Sequence, residues 1–110
     1  MASYSLGLWA DFCNLSSSTS LPEEKNIEHL FIDTREIIDG ANGVFFCLKG
    51  RRDGHHFIQD AVKKGVLAIV IQEKYALTTV VPDNVFVLRA KNVLDALQRT
   101  AVLHRKHLAS

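Results

Sequence analysis

Two apolar runs separated by a short amphipathic segment constrain the fold of this chain more than any other feature. The runs are Val44–Leu48 and Val66–Ile71, and nearly every residue in them is apolar. Such runs are typical of strands with both faces covered, as in parallel sheets. The segment between them, Phe57–Lys64, has apolar residues at helical spacing and ends at Gly65, a common helix stop. The pattern therefore predicts a βαβ unit with parallel strands and a right-handed crossover.

Further strands and helices are predicted on both sides of this unit. Ile27–Ile32 and Val85–Leu88 have the composition of strands, and Ser5–Leu15 has apolar residues at helical spacing. Another helix is predicted to begin after Asn92, a favoured N-cap residue. The predicted fold class is α/β, a small mixed sheet that contains the right-handed βαβ unit and is flanked by helices. At 110 residues, the chain is expected to form one domain.

Residue spacing also predicts which face of each outer helix packs on the sheet. In the first helix, Leu8, Phe12 and Leu15 lie at helical spacing with Trp9 beside them, and this helix is expected to pack on the rest of the domain. The expected inward positions of the last helix are Leu94, Leu97, Ala101 and Leu108. Both sets recur at intervals of three, four or seven residues, which places their members on one helical face.

Composition and charge exclude several functional classes. The formal net charge of +1 provides no extended positive field for nucleic acid. No apolar run approaches the roughly 20 residues needed to cross a bilayer, and no signal-peptide pattern is present, so a cytoplasmic location is expected. Cys13 and Cys47 are too few for a disulfide framework. His55 and His56 lack partners at zinc-site spacing, so no metal site is expected.

Polar groups that could bind a ligand follow two of the predicted strands, where open α/β sheets place their binding sites. Asp33–Thr34–Arg35 offers a hydroxyl beside a guanidinium, which suits a phosphate or a nucleobase. Lys49–His55 carries three cations and two glycines and leads into a helix. The Gly-rich P-loop pattern that ends in Gly-Lys-Ser/Thr is absent from the chain. By spacing alone, solvated charges on exposed loops explain both motifs about as well as a binding site does.

The order of these motifs resembles the N-terminal domain of the Mur ligases, the ATP-dependent amide ligases that build the peptidoglycan stem peptide. The resemblance covers about Ile27 to Leu108 and rests on Asp33–Arg35, then Val44–Gly50, then Asp53–His55. It is strongest to the MurF type, which joins D-alanyl-D-alanine to UDP-N-acetylmuramoyl-tripeptide. The resemblance implies a domain that binds the UDP moiety of this substrate during cell wall biosynthesis.

By this resemblance, residues of the two loops form the uridine-diphosphate pocket. They are Thr34, Arg35, Lys49, Gly50, Asp53, Gly54 and His55. Thr34 is expected to contact the uracil, and Arg or Lys side chains are expected to contact the diphosphate. The resemblance also implies ATP and Mg²⁺ for the full-length enzyme, in a central domain that these 110 residues lack together with the C-terminal domain. No catalytic residue is therefore assigned, and ligation is expected of the parent enzyme alone.

Three alternatives remain open at this point. The N-terminal domain of a MurE-type ligase would have the same fold. A non-catalytic interaction module would be indicated by loss of Arg35 or Lys49, but both are present. A small independent α/β enzyme would need an acid–base or nucleophile pair, which the spacing of the residues does not reveal.

Overall fold

The elements of the fold are seen in a computed structural model that describes residues 4–17, 21–22, 24–48 and 53–108. Its helices are α1 (Leu6–Phe12), α2 (Ile58–Lys63) and α3 (Val93–Leu108). Its strands are β1 (Tyr4–Ser5), β2 (Ser16–Ser17), β3 (Asn26–Ile27), β4 (His29–Phe31), β5 (Gly43–Phe46), β6 (Ala68–Gln72) and β7 (Phe86–Ala90). A 3₁₀ turn at Thr34–Glu36 follows β4, and another at Gly54–Phe57 leads into α2.

The described residues form a five-stranded mixed sheet in the order β2-β7-β6-β5-β4. Strands β4, β5, β6 and β7 are parallel neighbours, whereas β2 lies antiparallel to β7. The parallel pairing of β5 with β6 around α2 confirms the predicted βαβ unit. Because parallel strands point the same way, β4 to β7 all end at one edge of the sheet, which we call the carboxyl edge.

Helices cover both faces of the sheet, and β5 contributes to both cores. Val44 and Phe46 pack on the side of α1 and α3, while Phe45 and Cys47 pack on the side of α2. All four are buried, which explains why this run is apolar throughout. Within the described ranges, no helix is long and apolar enough to cross a bilayer.

The two outer helices pack only in part with the faces that residue spacing predicts. Leu15 and Leu97 pack against the core as predicted, but other predicted positions do not. The buried positions of α1 are Leu6, Trp9 and Ala10. The buried positions of α3 are Val93, Ala96, Thr100 and Leu103. Leu8, Phe12 and Leu94, which were predicted to face inward, are instead 50%, 38% and 52% exposed. The physical reason is the contact between the helices, in which the indole Nε1 of Trp9 donates a 2.8 Å hydrogen bond to Oγ1 of Thr100.

Candidate functional site

A cleft of about 220 Å³ lies at the carboxyl edge, where β4 and β5 end. Its first wall consists of Asp33, Thr34 and Arg35, and its second wall consists of Leu48, Gly54 and Phe57. The two walls come from segments about twenty residues apart in the chain. They meet because β4 and β5 are adjacent parallel strands that end at the same edge.

Asp33 shapes the first wall. Its Oδ1 accepts a 2.9 Å hydrogen bond from the backbone N–H of Arg35, which caps the 3₁₀ turn. Its Oδ2 accepts a 2.7 Å hydrogen bond from Nη2 of the same arginine. Hydrogen bonding to Asp33 and the charge of this carboxylate raise the pKa of Arg35 above its ordinary value. The Arg35 side chain is 76% exposed, so the cleft has a permanent cation at its rim.

Thr34 is the buried member of the first wall, at 4% exposure. Its backbone carbonyl accepts a 2.6 Å hydrogen bond from Nζ of Lys64, the residue that caps the C-terminus of α2. The carbonyl of Lys64 in turn accepts a 2.9 Å hydrogen bond from the backbone N–H of Gly40. Lys64 therefore anchors the segment after β4 at two points. Residue spacing did not indicate this role, because Lys64 and Thr34 are thirty positions apart.

Gly54 brings the second wall directly against the end of β5. Its backbone N–H donates a 2.8 Å hydrogen bond to the carbonyl of Leu48. A Cβ atom at Gly54 would lie 2.9 Å from both Cα of Cys47 and the backbone N of Leu48. A side chain fits there only if the backbone moves, so the close approach requires glycine.

His55 lies behind the second wall, and both of its ring nitrogens are engaged. Nδ1 lies 2.5 Å from Oδ1 of Asp53, and Nε2 accepts a 3.1 Å hydrogen bond from the backbone N–H of Gln72. Because Nε2 accepts, the ring proton is assigned to Nδ1, which donates to Asp53. The ring also packs on Tyr75, with a centroid distance of 4.2 Å. The side chain is 1% exposed, so protein encloses the imidazole.

Asp53 is the acidic partner of this histidine. Partial burial raises its pKa, but hydrogen bonds from the side chain and backbone N–H of His55 lower it more, so the pKa lies below its ordinary value. Asp53 is therefore ionised at neutral pH, and it caps the turn Gly54–Phe57. Its predicted role in the uridine-diphosphate pocket stays a prediction.

The structure thus brings Thr34, Arg35 and Gly54 together at the cleft. Asp53 and His55 are bonded to each other beside it. Lys49 and Gly50 lie outside the described residues, so their predicted roles stay predictions.

A second cavity adjoins the cleft at Leu48, which lines both. Its volume is about 360 Å³, and Gln72, Asn92 and Val93 are among its lining residues.

Among the described residues, no three His, Cys, Asp or Glu side chains are grouped so that they could hold a metal ion. The chain also lacks a P-loop pattern.

Comparison with known proteins gives matches that cover a short part of longer chains. No protein-family model matches the chain. The chain is 46% identical over 52 residues to a UDP-N-acetylmuramoyl-L-alanyl-D-glutamate–2,6-diaminopimelate ligase of Alkaliphilus metalliredigens, a stretch that covers 46% of this chain and 10% of that protein. It is 33% identical over 64 residues to a UDP-N-acetylmuramoyl-tripeptide–D-alanyl-D-alanine ligase of Rickettsia prowazekii, covering 58% of this chain and 13% of that one.

A solved structure shares the fold. MurF from Acinetobacter baumannii superposes with a TM-score of 0.74 at 17% identity, over 94% of this chain and 21% of the MurF chain. At this identity the match supports the fold alone, and the sequence matches carry the relationship. A UDP-N-acetylmuramoyl-L-alanyl-D-glutamate–2,6-diaminopimelate ligase of Geobacillus thermodenitrificans is 36% identical over 87 residues, which cover 76% of this chain and 17% of that protein. Together these matches show that the chain belongs to the Mur ligase family, as a counterpart of its N-terminal domain.

Proposed function

We propose that the cleft binds the uridine-diphosphate end of a UDP-N-acetylmuramoyl-peptide, and that the chain anchors this substrate for an ATP-dependent ligase of peptidoglycan synthesis. One observation carries the proposal: Thr34, Arg35 and Gly54 meet around a single cavity at the carboxyl edge. Open α/β sheets bind their ligands at this edge. Relatives whose names specify UDP-N-acetylmuramoyl substrates support the choice of ligand.

The chemistry of the walls fits a nucleotide. Leu48 and Phe57 offer an apolar surface to a planar base, and Thr34 supplies polar groups for the uracil. Arg35 suits the diphosphate because a guanidinium forms paired hydrogen bonds with phosphate oxygens. Gly54 permits close approach of the ligand to the backbone. The cleft of about 220 Å³ is smaller than the roughly 300 Å³ or more of typical ligand pockets, so it holds part of the nucleotide and binds weakly by itself.

In the complete enzyme, the anchored UDP end would orient a reaction that occurs far from it. Binding energy from a remote part of a substrate can be used to position the reacting group. We assign the phosphorylation of the substrate carboxylate, with its ATP and Mg²⁺, to further domains of the parent. The parent would then join D-alanyl-D-alanine to the tripeptide, as a MurF-type ligase.

The second candidate is a ligase of the MurE type, because the relative at 46% identity is a diaminopimelate ligase by name. The two types act on different peptides, and the peptide lies at the opposite end of the substrate from UDP. We therefore expect the chain to bind the UDP-N-acetylmuramoyl derivatives of the L-alanyl-D-glutamate dipeptide and of the tripeptide with equal affinity. A clear preference for one peptide would assign the type and show that the chain also contacts the peptide.

Calorimetric titration tests the nucleotide site itself. UDP-N-acetylmuramoyl-tripeptide and UMP should both bind, and Arg35→Ala should weaken the binding of the former about tenfold by removing a charge-assisted contact. Arg105→Ala is the matched control, because Arg105 is exposed on α3 and does not line the cleft. Absence of both binding heat and a shift in melting temperature at millimolar nucleotide would refute the site and favour a non-catalytic interaction module.

A further inference from the structure

A chain of hydrogen bonds joins the second wall of the cleft to the first turn of α3. His55 accepts from the backbone N–H of Gln72, at the end of β6, at 3.1 Å. The side chain of Gln72 continues the connection, because its Oε1 accepts from the backbone N–H of Val93 at 2.8 Å. Its Nε2 donates to the carbonyl of Lys91 at 3.2 Å. With Asp53 on the other side of the imidazole, the relay runs Asp53–His55–Gln72–Val93.

We propose that His55 and Gln72 are positioning residues of the nucleotide site. They hold the second wall at a fixed position relative to the first turn of α3, and they do not contact the ligand. The inference rests on the proposed function of the cleft. It gives His55 a different role from direct contact with UDP, and it adds Gln72 to the residues on which binding depends.

Burial and packing make the relay a rigid link. The imidazole is 1% exposed, and its ring lies against Tyr75, which restricts its rotation. Breaking either of its hydrogen bonds leaves a buried polar group without a partner, which is costly where water cannot replace it. The turn Gly54–Phe57 is therefore fixed at two points, by the hydrogen bonds of its own His55 ring and by the close contact of Gly54 with the end of β5.

A displacement of this turn would change the cleft directly. Gly54 and Phe57 line the cleft, and Leu48 separates it from the second cavity. Binding sites lose affinity when their groups move by about 1 Å, because the ligand can no longer meet both walls at once. The relay thus ties the position of the turn Gly54–Phe57 to the first turn of α3.

Two substitutions of His55 each remove one of the two hydrogen bonds of its ring and keep the other. His55→Asn retains an N–H donor near the position of Nδ1 and loses the acceptor for Gln72. His55→Gln retains an acceptor at the reach of Nε2 and loses the donor for Asp53. We expect each to weaken the binding of UDP-N-acetylmuramoyl-tripeptide about threefold to tenfold, and His55→Ala to weaken it at least as much as either.

Two substitutions of Gln72 test the hydrogen bonds that its side chain makes to the start of α3. Gln72→Glu keeps an acceptor for the N–H of Val93 but loses the donor for the carbonyl of Lys91, so it should weaken binding less than Gln72→Ala, which should weaken it about as much as His55→Asn. Thr100→Val is the control for stability alone, because Thr100 is buried between α1 and α3 and touches neither wall. It should lower the melting temperature without lowering the affinity.

The measurement is calorimetry at a temperature at which every variant is folded, with amide hydrogen exchange at Gly54 and Gln72 as a readout that needs no ligand. Weaker binding and faster exchange in the His55 variants would support the proposal. Unchanged affinity in His55→Ala, with a lowered melting temperature as in Thr100→Val, would overturn it and leave the nucleotide site intact. Failure of the unaltered chain to bind would overturn the proposed function and this inference together.

Discussion

Nζ of Lys64 donates a 2.6 Å hydrogen bond to the backbone carbonyl of Thr34, which joins the first wall of the cleft to the end of α2. Lys64→Met removes this donor and keeps most of the aliphatic side chain. We expect it to weaken nucleotide binding about threefold, because the wall loses an anchor although its own residues are unchanged. Lys63→Met is the matched control, since Lys63 is the exposed neighbour. Equal affinities of the two variants in calorimetry would contradict the anchoring role.

The stability contributed by Asp53 should depend on pH in acid. Partial burial raises the pKa of Asp53, but the hydrogen bonds from His55 lower it more, so its folded pKa is below its unfolded value. Such a carboxylate stabilises the fold above the unfolded value of about 3.9, and the contribution is lost as the pH falls through the folded pKa. Asp53→Asn should therefore be less stable than the unaltered chain at neutral pH, with a difference that shrinks below about pH 4.

Urea unfolding across this pH range measures the difference in the free energy of unfolding. Asp83→Asn, at an exposed loop position, is the control and should show no comparable convergence in acid. A difference for Asp53→Asn that stays constant down to pH 2 would show that the ionised carboxylate does not stabilise the fold.

The contact between α1 and α3 should contribute measurably to stability. Thr100→Val leaves Nε1 of Trp9 buried without its acceptor, and we expect a loss of about 1–3 kcal/mol in the free energy of unfolding. Thr100→Ser keeps the hydroxyl and should lose less. Trp9 fluorescence during urea unfolding reports the transition, and Thr78→Val, at an exposed position, controls for the substitution itself. Equal stability of the valine and serine variants at position 100 would contradict the account.

Both cysteines should resist thiol reagents in the folded protein. Burial raises the pKa of Cys47, and the nearby charge of Asp53 raises it further. Burial also raises the pKa of Cys13, against a smaller opposing effect of its hydrogen bond with Thr100. Because the thiolate is the reactive form, labelling by an aromatic disulfide reagent should be no faster than opening of the structure. Rapid labelling in native buffer would show that one of the thiols is accessible.

Elements fixed by local pattern were predictable from the sequence. The strands β5 and β6 are apolar because both of their faces are covered, and Gly65 ends the helix between them with a φ of +83°. The faces of α1 and α3 were predicted only in part, because Trp9 and Thr100, whose hydrogen bond joins the two helices, are 91 positions apart. Spacing within one helix carries no information about such a partner.

Some features of the candidate site could likewise be predicted from the sequence, and others could not. The position of Thr34, Arg35 and Gly54 at one cleft could be predicted, because they follow strands that end at one edge of the sheet. The anchoring role of Lys64 and the enclosure of the His55 ring could not be predicted. Both depend on hydrogen bonds between segments that only the folded chain brings together, 30 and 17 positions apart.

The most direct test of the nucleotide site is an NMR titration of the ¹⁵N-labelled chain with UDP-N-acetylmuramoyl-tripeptide, with UMP as the comparison. We expect amide shift changes concentrated at Thr34, Arg35, Leu48 and Gly54, reproduced in large part by UMP. Shift changes confined to other surfaces, or none at millimolar ligand, would contradict this expectation.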